Sequence, residues 1–259
     1  MFRNIVEMWR FRSLTWALVV RHLNTRYRGS FLGFIWSFLN PLCLIAVYSL
    51  VFRYYVRFGN VEHYTLFLFA GLLPWIWFSS GLLEATASIS GGGSLITKAM
   101  FPAHILPLVS VLTNCFNFLF ALPILIGYML FCGESLTVAL FYFPLIIFIE
   151  LIFIVGLALA LAAINVHYRD VQHILGNVLT FLFFLSPILY PVENVPAELK
   201  ITLLVNPLAY FTQMYQAIFT QGVNPSGLYL GVSACCAGLS FVIGNMIFNH
   251  YREDFAELV

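Results

Sequence analysis

The turn Val166 to Ile174, VHYRDVQHI, gathers His167, Arg169, Asp170 and His173. Imidazole and carboxylate are metal-ligand types, but no HExxH or similar helical pair accompanies them. Arg169 and Asp170 read more economically as a topology determinant and a helix N-cap, with Gln172 and His173 in the first turn. Glu84 and Glu150 lie in otherwise apolar stretches, where a carboxylate is costly and is a functional candidate by default. One falls near the inner end of its segment and the other near the middle, so they do not form an evident acid–base pair. Structural pairing, helix-interface hydrogen bonding and proton coupling all remain open for them. Cys43, Cys115, Cys132, Cys235 and Cys236 are odd in number and lack CxxC or Cys/His spacing, which marks them as small packing residues. The stretch SGGGSLITKAMFPAHILP, 90–107, is glycine-rich yet lacks the Gly-x4-Gly-Lys-Ser/Thr pattern of a phosphate-binding loop and has no preceding strand. What remains is NTRYRGSFLGFIW, 24–36, in which Arg26 and Arg28 flank Tyr27 at the threshold of a long uncharged run. Arginine there suits a membrane-surface anion.

These residues must be positioned by membrane-embedded helices. The chain of 259 residues is 61% hydrophobic and 9% charged, with a mean hydropathy of +0.93. Soluble domains carry about 25% charged residues. A span needs roughly 20 apolar residues, so the length accommodates about six helices and no sizeable soluble domain. Uncharged windows predict spans at about 31–53, 65–88, 105–131, 136–166 (interrupted by Glu150), 173–191 and 228–248. The fold expected is an all-α integral membrane protein forming one transmembrane domain, 1–259. Arg3, Arg10, Arg12, Arg21, Arg26, Arg28, Lys98, Arg169 and Arg252 fall on one side of that topology, against Arg53, Arg57 and Lys200 on the other. The positive-inside rule then puts both termini in the cytoplasm. Tyr54, Tyr55, Tyr64, Trp75 and Trp77 are expected towards the outer interface, and Trp16, Tyr27, Trp36 and Tyr251 towards the inner one, with Pro74 placed to bend its span. No cleavable signal is expected, because Leu14 to Val20 is short and no A-x-A-like site precedes Arg21.

Three segments are neither span nor simple loop. Within 14–28, Trp16, Val20, Leu23 and Tyr27 recur at helical spacing while Arg21, Asn24, Thr25 and Arg28 fall largely opposite, as in a helix lying in the inner interface. A generic topogenic anchor is the plainer alternative. Residues about 94–101 can form a short cytoplasmic helix ending at Pro102, with Leu95, Ile96, Met100 and Phe101 seeking a docking partner; an ordinary connector is the alternative. Residues about 195–222 hold short apolar pieces broken by Pro196 and Pro207, which read as re-entrant helices or as a small outer cap. Aromatic side chains are abundant, with 27 Phe, 13 Tyr and 5 Trp. Most serve core and lipid contact, but rings lining a pore would also suit a sliding glycan.

The motifs NTRYRGSFLGFIWSFLNPL, LFAGLLPWIWFSS, LITKAMFPAHILPL, NVHYRDVQHILG and LSPILYPVENVP followed by VNPLAY resemble, in order, the permease subunits of ABC transporters that export O-antigen, teichoic acid and capsular polysaccharides. The resemblance runs from about Leu14 to Phe248. It implies a homodimer in the bacterial inner membrane, associated with two copies of a separate ATPase that uses ATP and Mg, while this chain binds no cofactor or metal. It further implies a polyprenyl-diphosphate-linked glycan as substrate, membrane lipids as neighbours, and no nucleic acid. On its pattern the headgroup and channel entrance fall at Arg21, Arg26, Tyr27, Arg28, Leu32 and Gly33. Channel-lining positions fall at Tyr48, Phe52, Phe181, Phe184 and Tyr190. ATPase coupling falls at Leu95, Lys98, Phe101, Pro102 and His104. Similar proteins often carry Arg or Lys after the Phe-Pro pair, whereas Ala103 and His104 stand here.

The expected mechanism follows. Arg21, Arg26 and Arg28 attract the diphosphate through charge-assisted hydrogen bonds, Leu32 and Gly33 form the entrance, and closure of the ATPase moves the coupling segment and the interface helix. Neutralising Arg26 and Arg28 together is expected to abolish export and leave assembly intact. A membrane-embedded enzyme acting on polyprenyl-linked glycans, with Glu84 or Glu150 as base, is the alternative of another class. A secondary transporter is disfavoured by the lack of a recognisable internal repeat.

Overall fold

Hydrocarbon offers no partner for backbone N–H and C=O groups, so an apolar chain in a bilayer must satisfy them within helices or a closed barrel. The computed structural model describes residues 7, 9–26, 28–56, 63–92 and 101–255, and among them no strand occurs. Helix α1 covers Arg12–Arg26. A 3-10 turn, Gly33–Ile35, leads into α2, Trp36–Leu50, which continues as a π-helical turn over Val51–Val56. Then follow α3, Tyr64–Gly91; α4, Ile105–Phe131; α5, Phe143–His167, preceded by a 3-10 turn at Val138–Tyr142; and α6, Val171–Leu185. Two short helices, α7 (Lys200–Val205) and α8 (Pro207–Gln216, running on as a π turn to Gln221), precede α9, Gly227–Tyr251. Four of the described segments, 64–91, 105–131, 138–167 and 227–254, are long and apolar enough to cross a membrane. Helices α2 and α6 have 15 residues each, or about 22 Å at 1.5 Å per residue, short of the roughly 30 Å of hydrocarbon.

Helix α3 is the centre of the fold and packs on α2, α4, α5, α6 and α8. It runs unbroken through Pro74. Trp77, expected near the outer interface, is instead a core residue: it is 1% exposed, stacks on Phe118 with ring centroids 5.3 Å apart, and donates its indole N–H to the Val111 carbonyl at 3.3 Å. Its place midway along α3 keeps it away from either end of the helix, and a buried indole must find an acceptor. Tyr64 is likewise buried, its hydroxyl donating to the Leu189 carbonyl at 2.7 Å.

Helices α5 and α9 cross at Gly156, Ser240 and Gly244. A Cβ on Gly244 would overlap the carbonyl of Gly156, so two backbones meet where neither carries a side chain. Ser240 Oγ donates to the Phe153 carbonyl at 2.9 Å across the same contact. Small residues that permit close backbone approach are how helices associate in lipid, where apolar burial alone gives little drive.

Helix α1 departs from the expected one-sided pattern. Thr15 and Val19 are buried, and Phe11, Leu14, Leu18 and Leu23 gather round Val19 together with Ile105 and Val109 of α4. Trp16 and Val20 point away from that contact and are exposed, apart from the edge of Trp16 meeting Phe116. The helix therefore has one apolar flank for α4 and another left open. Asp170 stands at the N-cap position of α6, but its side chain makes no cap bond.

Candidate functional site

The last turn of α1 carries Arg26 to the C-terminal part of α3 and the N-terminal part of α4. Its Nη2 forms an ion pair with Glu84 Oε1, and its Nη1 donates to Asn114 Oδ1 at 3.3 Å. Asn114 Nδ2 donates to Glu84 Oε2 at 2.8 Å and to the Ser110 carbonyl at 2.9 Å. The three side chains close a ring in which each satisfies the other two. Glu84 thus has a cation as partner, and Arg26 is not a free charge. It still keeps N–H donors beyond the two engaged here, since a guanidinium has five.

Glu150 occupies a separate place. It is buried in α5, and its Oε2 accepts a hydrogen bond from the Tyr215 hydroxyl of α8 at 2.6 Å. Around Tyr215, Phe118 and Phe143 meet the ring edge-on at 6.2 and 5.8 Å. This contact ties the short helix α8 into the bundle. Asn206 caps α8 by accepting from Leu208 N–H at 3.1 Å while donating to Ser186 Oγ at 2.9 Å.

Beside Arg26 a cavity of about 490 Å³ opens among α2, α3 and α4. Its polar lining comes from Arg26, Ser37, Asn40, Ser80, Asn114 and Asn117. Trp36 supplies exposed ring surface, and the stacked Trp77 and Phe118 back the wall. Ser37 Oγ and Asn117 Oδ1 are enclosed yet have no hydrogen-bond partner among the described residues. Glu84 itself faces a second cavity of about 510 Å³ with His22, Ser88 and Gln172.

Arg21 and Arg28 are exposed and have no ion-pair partner among the described residues. Tyr27 lies outside the described residues. Beyond Arg28 the chain turns at Gly29, φ +82°, and at Gly33, φ +50°, with Leu32 half-buried between them. A Cβ on Gly33 would meet no atom within 4 Å, so it is the left-handed backbone and not crowding that calls for glycine there.

Of the expected channel-lining residues, Tyr48 packs on Phe52 at 6.4 Å and on Phe183 of α6 at 5.9 Å. Phe181 and Phe184 are exposed along α6, and Tyr190 folds back so that its hydroxyl donates to the Phe184 carbonyl at 2.8 Å. The two shorter apolar helices, α2 and α6, therefore touch through Tyr48 and Phe183.

The expected coupling helix, with Leu95 and Lys98, lies outside the described residues. Where the chain resumes, Phe101 packs into the apolar cluster that joins α1 to α4, and Pro102 is half-buried. His104 does not face outward as expected of a partner contact. It is fully buried, its ring edge to Phe248 at 6.3 Å and its Nδ1 3.7 Å from Glu7 Oε2, which also meets Arg252 at 3.5 Å. Burial lowers its pKa to about 4 against an opposing pull from Glu7. A neutral imidazole here joins the N-terminal segment to the end of α9.

Arg26 and Glu84 were each legible as candidates, but not as a pair. Asn114 and Asn117 escaped notice, although two amides at i and i+3 in an apolar span share a helix face.

The model of the ABC-2 type transporter family matches residues 13–220. An O-antigen export system permease protein RfbA of Myxococcus xanthus is 40% identical over 261 residues, covering 100% of both chains. An O-antigen export system permease protein RfbA of Klebsiella pneumoniae is 28% identical over 240 residues, 92% of each. The polysialic acid transport protein KpsM of Escherichia coli is 24% identical over 242 residues, 92% of this chain and 93% of that one.

Proposed function

This chain belongs to the membrane-protein family of ABC-2 type transporters, and on that footing we propose that it is the permease subunit of an ATP-driven polysaccharide exporter. The observation that carries the reading is the end-to-end 40% identity to an O-antigen export permease. The substrate is a polyprenyl-diphosphate-linked polysaccharide, moved from the cytoplasmic to the outer side of the bacterial inner membrane. Two copies of the chain form the channel, and two copies of a separate ATPase hydrolyse ATP with Mg. Six spans, α2 to α6 and α9, place both termini in the cytoplasm, and α7 and α8 re-enter the outer leaflet. Glu84 and Glu150 serve structure and not acid–base chemistry; their engagement by Arg26 and Tyr215 supports this.

In this reading Arg21 and Arg28 supply the open cationic charge for the diphosphate, and Arg26, its charge offset by Glu84, contributes oriented donors. Leu32 and Gly33 form the entrance. Tyr48, Phe52, Phe181, Phe184 and Tyr190 face the glycan path, where flat rings permit sliding. Motion of the ATPase reaches Leu95 and Lys98, then Phe101, which shares one apolar cluster with α1, and Pro102 next to it. His104 acts behind that contact as a packing residue.

The test uses the transporter co-purified with its ATPase and reconstituted in liposomes. Arg21→Gln with Arg28→Gln is expected to cut glycan export at least tenfold while assembly with the ATPase persists. Export at the normal rate by that double variant would remove the arginines from the mechanism. Failure of the chain to assemble with any ATPase would remove the transporter reading itself.

A further inference from the structure

We infer that the cavity among α2, α3 and α4 within a single protomer is a sugar-binding site, which holds the sugar unit next to the diphosphate before the glycan enters the channel. The inference rests on the reading that Arg21 and Arg28 hold that diphosphate.

The lining argues against an anion or cation as occupant. Arg26 is the charged side chain on its wall, and Glu84 neutralises it from behind. The remaining polar groups are hydroxyls and carboxamides, each able to donate and accept, which is what a ring of sugar hydroxyls requires. Two of them lie just behind the wall. Ser37 Oγ and Asn117 Oδ1 have no partner among the described residues and are shut off from solvent, so a side-chain rotation is what brings either oxygen to a ligand. A buried hydroxyl or amide oxygen left unpaired costs free energy that a ligand would recover. Both belong to helices that otherwise face apolar surroundings, so hydrocarbon would be a poor filling.

Shape agrees with chemistry. A volume of about 490 Å³ lies within the roughly 300–1,000 Å³ typical of small-molecule sites. The partly exposed ring of Trp36 gives flat surface for the C–H face of a pyranose, and the stacked pair Trp77 and Phe118 closes the wall behind it. The cavity begins at Arg26 and Ser30, beside the exposed Arg28, and reaches Leu44 and Ala121 deeper along α2 and α4. A headgroup held at the arginines would present its first sugar to this opening.

The experiment measures binding of two probes to the reconstituted transporter with its ATPase. One is a polyprenyl diphosphate carrying a single hexose, the other the same lipid without sugar. The wild-type protein is expected to hold the sugar-bearing lipid about tenfold more tightly, as two or more recovered neutral hydrogen bonds allow. Ser37→Val with Asn117→Leu should abolish that preference and leave the affinity for the sugar-free lipid within twofold. Ser80→Phe, which fills the same cavity from α3, should do likewise, so that a folding failure in one variant leaves the other to decide. Equal binding of both lipids by the wild-type protein, or a preference that survives in an assembled variant, overturns the site. Arg21→Gln with Arg28→Gln distinguishes the two readings: it should weaken both lipids equally, and if it weakens neither, the headgroup assignment fails whether or not the sugar preference stands.

Discussion

Removing the Glu84 carboxylate isolates what the Arg26 ring contributes. The two side chains are 29% and 28% exposed, between the surface regime, where a pair contributes about 0.2–1 kcal/mol, and the buried one, where loss of one partner costs about 3–5 kcal/mol. Glu84→Ala should therefore cost about 2 kcal/mol. It strands the Arg26 charge and deprives Asn114 Nδ2 of one of its two acceptors, the Ser110 carbonyl remaining. Glu84→Gln should cost about half as much, because a neutral amide oxygen still accepts, and a charge-assisted hydrogen bond is about twice as strong as a neutral one. At about 2–4 °C per kcal/mol for a chain of this size, the Ala variant should melt roughly 4–8 °C lower. The assay is reversible unfolding in mixed micelles, run as a double-mutant cycle with Arg26→Gln. A coupling of about 1 kcal/mol or more is expected, and it should fall only partly in 1 M salt, since half-buried charges are weakly screened. A coupling below about 0.3 kcal/mol, the limit of simple additivity, would refute the ring as a mutual clamp between α1 and the two spans.

Two further outcomes follow from buried groups elsewhere. His104 has its pKa depressed to about 4 from an ordinary 6.5, so the unfolded chain binds the extra proton first; its contribution is fully present above about pH 6.5 and is lost as pH falls from there towards 4, by up to about 3 kcal/mol. The variant His104→Leu should flatten the stability profile across that window in thermal melts, and an unchanged slope would sink the assignment. Tyr215→Phe removes the donor to Glu150 and should cost about 1–3 kcal/mol, whereas adding Glu150→Leu should restore part of that loss; a double variant less stable than Tyr215→Phe alone would contradict the pairing.

Composition and hydrophobic spacing reached far into this protein because they report local physics. An uncharged run must be helical in hydrocarbon wherever it sits, and α3, α4, α5 and α9 emerge close to the uncharged windows. Arginine at 21, 26 and 28 is a property of the chain alone, as is the absence of a nucleotide-binding loop pattern. The resemblance carried by successive motifs needed no coordinates either, and it agrees with the family match.

Partnerships were different. Arg26 and Glu84 stand 58 positions apart, Arg26 and Asn114 88 apart, and Glu150 and Tyr215 65 apart. No periodicity within one helix encodes which residue of another helix it will meet. That is settled when α1 lays Val19 against Ile105 and Val109 and when Gly156 and Gly244 let α5 and α9 close together. The same packing turned Trp77 from an interface anchor into core and His104 from a surface contact into a buried one. The sequence alone told that a cation stood at the membrane threshold. Tertiary structure decided that its charge was answered from α3, and it opened beside that pair a neutral, hydroxyl- and amide-lined cavity, because only the meeting of three helices can leave a space between them.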